Sequence, residues 1–285
     1  MPELPEVEAL ALDLGRRLDG RAITAVHLAQ FAALKTFAPP LTALSGAFVD
    51  GVRRHGKFLD IEAGGLHLVA HLARAGWVHW RDSVPALPPK PSSKSPVAAR
   101  VVIDSEEGMD FTEAGTKKSL ALWVVRDPLE VPGVASLGPD PLTDDFTPEV
   151  LAAILAREGR KQIKGVLRHQ GTIAGIGNAY SDEILWEARL SPYKPSDTVD
   201  ADALFEAIQS TLRAAVARSS GLAASELKRE KKSNLAVHGQ TGKPCPRCGD
   251  IVREVSFADS SLQYCPTCQT GGKPLADRRT SKFLK

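Results

Sequence analysis

All four cysteines of this 285-residue chain lie within one short segment near its C-terminus. They form two C-x2-C pairs, Cys245 with Cys248 and Cys265 with Cys268, separated by sixteen residues. This spacing is typical of structural zinc sites, in which each pair supplies two thiolates from one tight turn. A redox dithiol would explain either pair alone but not both together. We therefore expect one tetrahedral Zn²⁺ that folds a small module, and reduced thiolates favour a cytoplasmic protein.

Length and composition are those of a globular protein with two domains, or two domains and a small module. Hydrophobic residues make up 43% of the chain and charged residues 25%. No run approaches the length of a membrane span, and the acidic N-terminus lacks the apolar core of a signal peptide. From residue 221 onward, twelve Lys/Arg face six Asp/Glu, a net +6, so the preceding 220 residues carry −4 of the total +2. This asymmetry favours a C-terminal surface that meets a polyanion.

The hydrophobic pattern predicts an α+β chain. Apolar residues at positions 4, 7, 10, 11, 14 and 18 indicate an amphipathic N-terminal helix. Short β-type runs follow at residues 23–28, 48–52, 58–61, 66–72, 76–80, 99–103 and 120–125. They predict an antiparallel sandwich or barrel. Residues 131–141 have the composition of a linker, and helical patterns then occupy residues 147–156, 163–167, 178–188 and 201–216.

The first residues, Met1-Pro2-Glu3-Leu4-Pro5-Glu6, can carry chemistry. A start methionine before a small residue is normally removed, which leaves Pro2 as a free secondary amine. An α-amino group titrates near ~7.7–8.0, so a neutral fraction can attack a carbonyl-like carbon and form a Schiff base. Glu3 and Glu6 are available for proton transfer. The alternative is an acidic helix cap with proline in the first turn.

Two further segments have both a structural and a functional interpretation. Gly175-Ile176-Gly177-Asn178 opens the third predicted helix with asparagine as a favoured N-cap, and such a helix start can bind a phosphate or simply form a turn. Residues 228–232, Lys-Arg-Glu-Lys-Lys, form a charged connection that is either solvated or in contact with nucleic acid.

Four segments, in this order, resemble the formamidopyrimidine-DNA glycosylase / endonuclease VIII family of base-excision repair enzymes. They are the opening PELPEVE, the RHGKFL of residues 54–59, the AGIGNAYSDE of residues 174–183 and the CPRC…CPTCQ finger. The resemblance covers nearly the whole chain. It implies a catalytic β-sandwich domain (1–130), a linker (131–142), an all-α helix-two-turn-helix DNA-binding domain (143–238) and a zinc-finger β-hairpin with a basic tail (239–285).

The resemblance also implies a bifunctional DNA glycosylase and abasic-site lyase. Pro2 would attack C1′ of a nucleotide flipped out of the duplex, and Glu3 would be the proton donor that helps to open the sugar. The Schiff base would acidify C2′, so that β,δ-elimination cuts the strand. Glu6 matches a position in the lesion pocket. Lys57 matches the family's lysine on a β-turn, which contacts phosphate and donates a proton in elimination.

The implied partner is double-stranded DNA that contains a damaged base or an abasic site, with no role for a membrane. His71 and Asn178 match positions that hold the DNA backbone, and Lys164 matches a third. Enzymes of this layout need no partner subunit, so a monomer is expected.

Departures from the family pattern bear on the substrate. In the purine-acting branch, a Met and two residues of an Asp-Pro-Arg-Arg-Phe-Gly loop fill the gap left by the flipped base. Here Arg74 stands at the Met position, and residues 110–118 replace the loop. Arg74 either fills the gap by stacking and hydrogen bonding or is an exposed cation at the end of a strand. We therefore expect oxidised pyrimidines or abasic sites to be preferred over 8-oxoguanine.

The finger and the tail depart as well. Ser260, next to Asp259, occupies the place of the family's phosphate-binding arginine, and the chain continues well beyond the last cysteine. Arg278 or Arg279 in this tail would supply the missing contact, unless the tail is simply disordered. The competing interpretation of the whole chain is a catalytically weak or inactive protein of the same fold that binds damaged DNA. A zinc-ribbon protein of transcription would leave Pro2 and its neighbours unexplained.

Overall fold

The computed structural model describes residues 1–92, 94–257 and 260–276. The chain forms two compact units. The first comprises Met1–Leu137 and Val216–Arg229, and the second comprises Gly138–Ala215 and the chain from Glu230 onward. None of the helices in the described residues is both long and apolar enough to cross a membrane.

The first unit opens with helix α1 (Leu4–Leu18) and continues as a β-sandwich. Its strands are β1 (Ile23–Leu28), β2 (Val49–His55), β3 (Phe58–Ala63), β4 (Leu66–His71), β5 (Gly76–Arg81), β6 (Val97–Ile103), β7 (Glu107–Glu113) and β8 (Ala121–Val125). They form two four-stranded antiparallel sheets in the orders β1-β6-β7-β5 and β2-β3-β4-β8. The predicted helix and sandwich are confirmed, with β7 as a strand that the sequence pattern did not indicate.

The apolar stripe of α1 forms one core with the inner faces of both sheets. Leu4, Val7, Leu10 and Leu14 are each no more than 2% exposed. Burying a side chain of this size stabilises the fold by roughly 1.5–3 kcal/mol, so the stripe fixes α1, and with it the N-terminus, on the sandwich. Helix α1 packs mainly against β2 and, to a smaller extent, against β3.

The outer face of the β2-β3-β4-β8 sheet is covered by part of the segment that was predicted to be a linker. A 3₁₀ turn at Pro128–Glu130 leads into the short helix α2 (Pro132–Ala135). A Cβ on Gly133 would lie 2.6 Å from the ring of Phe58, so a larger residue here would force the ring to shift. Phe58 in turn contacts His71 and Trp123, with ring centroids 4.8 and 5.9 Å away.

The second unit is helical and ends in a β-hairpin. Its helices are α3 (Pro148–Glu158), α4 (Ile163–Arg168), α5 (Asn178–Glu187) and most of α6 (Ala201–Ser219). Each matches a helix predicted from the sequence to within three residues at either end. The hairpin pairs β9 (Arg253–Ser256) with β10 (Ser261–Tyr264), and helix α8 (Pro266–Thr270) follows it. The charged connection at residues 228–232 lies within a further helix, α7 (Leu227–Asn234).

The boundary between the units differs from the predicted domain boundaries at one place. Residues 216–229, which fall within the predicted 143–238 domain, group with the first unit. The reason is apolar packing, because Ala224 and Leu227 are buried in the same core cluster as α1. The division into four domains therefore stays a prediction.

Candidate active site and zinc centre

The N-terminal residues form a buried capping box. Glu3 is the N-cap of α1, and its backbone N–H donates to Glu6 Oε2 at 2.8 Å, while the Glu6 N–H donates to the Glu3 carboxylate. Glu3 and Glu6 are only 2% and 1% exposed. The acidic-cap interpretation is therefore correct as a description of local structure, and it is compatible with catalysis because the cap fixes the residue next to it.

Pro2 is buried beside this cap, whereas Met1 is 43% exposed. While Met1 is attached, the Pro2 nitrogen belongs to a tertiary amide and has neither a basic lone pair nor a proton. Cleavage after Met1 converts it to a secondary amine. Pro2 can thus act as a nucleophile only after processing, and the exposed methionine is accessible for that step.

Lys57 lies in the two-residue turn between β2 and β3. Gly56 takes the first turn position with φ +55°, where a type II′ hairpin turn favours glycine. Arg54 ties this turn to α1, because its Nε donates to Glu8 Oε2 at 2.6 Å and its Nη1 donates to the Gly56 carbonyl at 3.2 Å. The side chain of Arg54 is 6% exposed, so the tie is largely shielded from water.

Lys57 and His71 lie close enough to influence each other. His71 faces Phe58, the residue after Lys57, across the β3–β4 pair, and Lys57 is only 8% exposed. Burial and, secondarily, the positive charge of Lys57 lower the pKa of His71. His71 is therefore neutral at pH 7 and offers one hydrogen-bond donor and one acceptor.

Arg74 is exposed in the turn between β4 and β5. The turn is tight because the Gly76 N–H donates to the Leu72 carbonyl at 2.8 Å, and a Cβ on Gly76 would lie 2.1 Å from that oxygen. The adjoining loop of residues 114–119 is held by the Glu113 carboxylate, which is 1% exposed and accepts from the backbone N–H groups of residues 119 and 120. The loop that replaces the family's Asp-Pro-Arg-Arg-Phe-Gly segment is thus held in a defined conformation by hydrogen bonds, and it lies next to the turn that carries Arg74.

Lys164 is buried, at 5% exposure, in the second unit. Its ammonium donates to Asp182 Oδ1 at 2.6 Å, to Ser181 Oγ at 2.7 Å and to the Asn178 carbonyl at 3.2 Å. An ammonium has three donors, which equals the number of these contacts. The contacts of Lys164 favour a role in holding α5, and its contact with the DNA backbone stays a prediction.

Asn178 begins α5 as its first helical residue. The N-cap is Gly177, so the prediction that Asn178 is the N-cap is wrong. Glycine takes this place because the side chain of Asn178 is used elsewhere: its Nδ2 donates to the Ser261 carbonyl of β10 at 2.7 Å. Its Oδ1 is buried and has no hydrogen-bond partner among the described residues. The contact of Asn178 with the DNA backbone stays a prediction.

The four cysteines converge in the second unit. Their sulfur atoms all lie within 4.8 Å of one another, with 3.9 Å between Cys245 and Cys268 and 3.4 Å between Cys248 and Cys265. In a tetrahedron with Zn–S bonds of about 2.3 Å, sulfur atoms are about 3.8 Å apart, so the four side chains fit one zinc ion. Four thiolates leave no coordination position open for a substrate.

The environment of the cluster favours ionised sulfur at one position. Burial opposes ionisation of Cys245, but the indole N–H of Trp186 and the backbone N–H groups of Cys248 and Arg247 outweigh it and lower the pKa of that thiol to about 7. Burial raises the pKa of Cys265. Zinc binding replaces the protons of such thiols and thereby adds to the stability of the finger.

The predicted site residues therefore separate into two groups. Pro2, Glu3, Glu6, Lys57, His71 and Arg74 belong to the first unit, and Lys164, Asn178 and the four cysteines belong to the second. Arg278, Arg279 and Asp259 lie outside the described residues.

Two side chains near these groups were not anticipated. Arg54 holds the Lys57 turn, and Trp186 donates to a zinc ligand. Arg54 sits in the recognised segment of residues 54–59, but no sequence signal links it to Glu8. Nothing in the sequence links Trp186 to a cysteine 59 residues away.

The sequence matches three domain models along its length. The formamidopyrimidine-DNA glycosylase N-terminal domain matches residues 1–120, and the H2TH domain of the same glycosylase matches residues 137–226. The zinc finger found in FPG and IleRS matches residues 242–271. The order agrees with the sandwich, the helices and the four-cysteine hairpin.

One of the individual relatives matches nearly the whole chain, and another matches about half of it. A formamidopyrimidine-DNA glycosylase of Symbiobacterium thermophilum is 34% identical over 296 residues, which cover 98% of this chain and 93% of that protein. An uncharacterized formamidopyrimidine-DNA glycosylase-like protein of Mycobacterium tuberculosis is 56% identical over 158 residues, 54% of this chain and 98% of that protein.

Solved structures of the Lactococcus lactis enzyme also match the fold. Its complex with abasic-site DNA superimposes with a TM-score of 0.81 at 25% identity, covering 94% of this chain and 99% of that one. Its complex with DNA containing an oxidized pyrimidine gives a TM-score of 0.81 at 26% identity, with coverage of 94% and 100%.

Proposed function

Because the chain belongs to the formamidopyrimidine-DNA glycosylase family, we propose that it is a bifunctional DNA glycosylase and abasic-site lyase with Pro2 as the nucleophile. The relatives are DNA glycosylases, and their membership supports base-excision repair of damaged bases as the general function. One observation carries the finer proposal: the buried capping box of Glu3 and Glu6 holds a prolyl residue at the start of α1, beside an accessible Met1.

The reaction begins with the free Pro2 amine. Its nitrogen forms a bond to C1′ as the bond between C1′ and the damaged base breaks. The base leaves with the bonding electrons and takes up the proton that the Pro2 nitrogen releases. Glu3 donates a proton to the sugar ring oxygen, so that the ring opens and a cationic Schiff base forms at Pro2. A neutral amine near pH 7 is available because an α-amino group titrates near ~7.7–8.0.

Strand cleavage follows from the charge on the Schiff base. The cation acidifies the C2′ proton, and its loss expels the 3′ phosphate in β-elimination. A second elimination expels the 5′ phosphate. Lys57 stabilises the departing phosphate as a cation and serves as a proton donor, and the neutral imidazole of His71 binds the DNA backbone beside it. The lowered pKa of His71 supports these separate roles, because a neutral His71 leaves Lys57 as the positively charged member of the pair.

For the lesion, we propose a preference for oxidised pyrimidines or abasic sites over 8-oxoguanine. The support is the pair of departures at the gap-filling positions, where Arg74 is exposed in a rigid turn next to the loop fixed by Glu113. Arg74 would stack in the gap and hydrogen-bond to the orphaned base. The L. lactis complex with oxidized pyrimidine DNA is consistent with such substrates in this fold.

The tail beyond the finger supplies a further phosphate contact in this proposal. Its root is anchored, because the Leu275 N–H donates to the Tyr264 hydroxyl at 2.8 Å and Leu275 packs against the hairpin. Arg278 and Arg279 follow within a few residues. Truncation after Ala276, which keeps the anchor, should weaken binding to abasic-site DNA and flatten its salt dependence. Unchanged affinity would contradict this part.

We propose a cytoplasmic enzyme that acts as a monomer on double-stranded DNA. The competing function is binding of damaged DNA without base excision. The buried Glu3, Glu6 and Lys57 argue against it, because a binding protein needs neither a terminal amine nor carboxylates beside it.

Borohydride trapping separates the two functions. The processed protein, incubated with borohydride and duplexes that contain 5-hydroxycytosine or an abasic site, should form a covalent adduct with each duplex. Pro2→Ala replaces the secondary amine of the proline ring by a primary terminal amine, and should form much less adduct while retaining its affinity for the abasic duplex. Failure of the wild-type protein to trap on either duplex would favour the binding protein. Cleavage rates on a duplex with 8-oxoguanine opposite cytosine, compared with those on 5-hydroxycytosine, test the preference.

A further inference from the structure

Helix α5 is attached to the finger segment along its whole length. Asn178, Asp182 and Trp186 are four residues apart and share one helix face. Asn178 Nδ2 donates to the Ser261 carbonyl at 2.7 Å, and Asp182 Oδ2 accepts from the backbone N–H of Gln263 at 3.2 Å. Both acceptor and donor belong to β10, so the hairpin follows the first half of the helix.

The same helix is attached to the irregular segment that enters the finger. The Glu183 carboxylate, 7% exposed, accepts from three consecutive backbone N–H groups at residues 236–238, at 2.7 to 3.0 Å. Asp182, fully buried, also binds His238 Nδ1 at 2.7 Å. A displacement of the finger would therefore strain or break the hydrogen bonds of two buried carboxylates of α5.

The last turn of α5 reaches the metal ligands themselves. The indole Nε1–H of Trp186 points at Cys245 Sγ, 3.3 Å away. Trp186 packs with Val237, Cys245 and Cys265 in the apolar cluster of the finger. An N–H directed at a thiolate delocalises its negative charge and stabilises the ionised form that zinc requires.

Arg247, which lies between the first two cysteines, locks the indole in this orientation. Its guanidinium carbon lies 3.9 Å from the centre of the Trp186 ring, so the planar group stacks on the ring face. Its two terminal nitrogens donate to the Trp186 carbonyl and to Glu187 Oε2, each at 2.7 Å. Rotation of the ring would break its stacking contact with Arg247, and the two hydrogen bonds hold the guanidinium in place for that contact.

We propose that Trp186 is a positioning residue of the zinc centre, and that its N–H···S bond to Cys245 couples zinc occupancy to the order of helix α5 and of Asn178 at its start. Thermodynamic coupling is reciprocal, so a side chain that stabilises the zinc-bound finger also makes the helix more ordered when zinc is bound. This inference rests on the zinc centre alone, and a failure of borohydride trapping would leave it unaffected.

The matched variants are Trp186→Phe and Trp123→Phe. Phenylalanine at position 186 keeps an aromatic ring for packing and for Arg247 but removes the N–H. Trp123 lies in the sandwich of the first unit and serves as the control. Zinc affinity of the full chain is measured by competition with a chromophoric chelator at pH 7. We expect Trp186→Phe to bind zinc about tenfold more weakly and Trp123→Phe to match the wild type.

Two further readouts separate this role from general packing. In Co²⁺-substituted protein, Trp186→Phe should shift the sulfur-to-metal charge-transfer band, because one ligand loses its hydrogen bond, while Trp123→Phe should not. Arg247→Met leaves the indole in place but frees its orientation, and should weaken zinc binding severalfold in the same direction. It also keeps the test available if Trp186→Phe does not fold.

Hydrogen exchange tests the coupling to the helix. Removal of zinc from the wild-type protein should speed the exchange of amides in α5, and this difference should shrink in Trp186→Phe. The role of the indole would be overturned if Trp186→Phe kept the wild-type zinc affinity to within twofold and the wild-type charge-transfer spectrum. Exchange in α5 that does not respond to zinc in the wild type would overturn the coupling.

Discussion

The ion pair between Arg54 and Glu8 should fix the position of the turn that carries Lys57. Breaking a fully buried ion pair costs about 3–5 kcal/mol, and an exposed pair contributes about 0–1 kcal/mol. Here the side chain of Arg54 is 6% exposed and that of Glu8 is 28% exposed, so the pair lies between these limits. We expect Arg54→Met to lower the free energy of unfolding by about 2 kcal/mol, because Glu8 loses its partner and the Gly56 carbonyl loses a donor.

The neighbouring Arg53 provides the control. It is in the same strand and pairs with Glu62, but its side chain is 62% exposed, so Arg53→Met should cost less than about 0.5 kcal/mol. Urea unfolding of Arg54→Met, Glu8→Gln and the double variant gives the coupling between the two residues, expected at about 1–1.5 kcal/mol. In abasic-duplex assays, Arg54→Met should slow strand cleavage while Arg53→Met does not. Equal effects of the two arginine variants on stability and cleavage would refute the role given to Arg54.

Three other predictions follow from the same unit. The pKa of His71, measured from its imidazole resonances by NMR, should lie below 6.5. It should rise in Lys57→Met, because the positive charge of Lys57 is one of the two causes of its lowering. An unchanged pKa in this variant would mean that the lysine lies too far away to influence His71. Because the unfolded chain binds a proton at His71 more readily than the folded one, the free energy of unfolding should fall as pH decreases below 6.5, and His71→Gln should lessen that fall when unfolding is followed at several pH values. Gly76→Ala should lower Tm by roughly 5 °C in a thermal melt, since its Cβ meets a backbone oxygen that cannot move aside, and a melt that matches the wild type would show that the turn is looser than described.

Much of the fold follows from periodicity. Helix α1, seven strands and four helices of the second unit are readable because their apolar residues repeat at the period of the element that buries them. Strand β7 escaped because it offers no apolar run. Its sequence includes Gly108, Asp110 and Glu113, and Asp110 is fully buried only because Arg100 and Arg81 pair with it from neighbouring strands. Burial of that kind depends on tertiary partners that a local pattern does not contain.

In the candidate site, too, the sequence indicates some residues and leaves out those that depend on tertiary contacts. The proposed reacting groups could be named from the first six residues and from Lys57, since the chemistry proposed for them depends on residue type and on the order of the segments that resemble the family. The residues that hold them could not, because the contact between Arg54 and Glu8 joins positions 46 residues apart. The N-cap at Gly177 was misassigned for a similar reason: the usual capping residue, Asn178, is engaged with β10.

In the proposed mechanism, the amine of Pro2 becomes bonded to the sugar of damaged DNA. Tandem mass spectrometry of the borohydride-trapped complex, after nuclease and trypsin digestion, locates that bond. The first tryptic peptide of the processed chain runs from residue 2 to residue 16. We expect Met1 to be absent and the reduced sugar remnant to be attached to the Pro2 nitrogen of this peptide. A remnant on Lys57 or another lysine, with the N-terminal peptide unmodified, would contradict it.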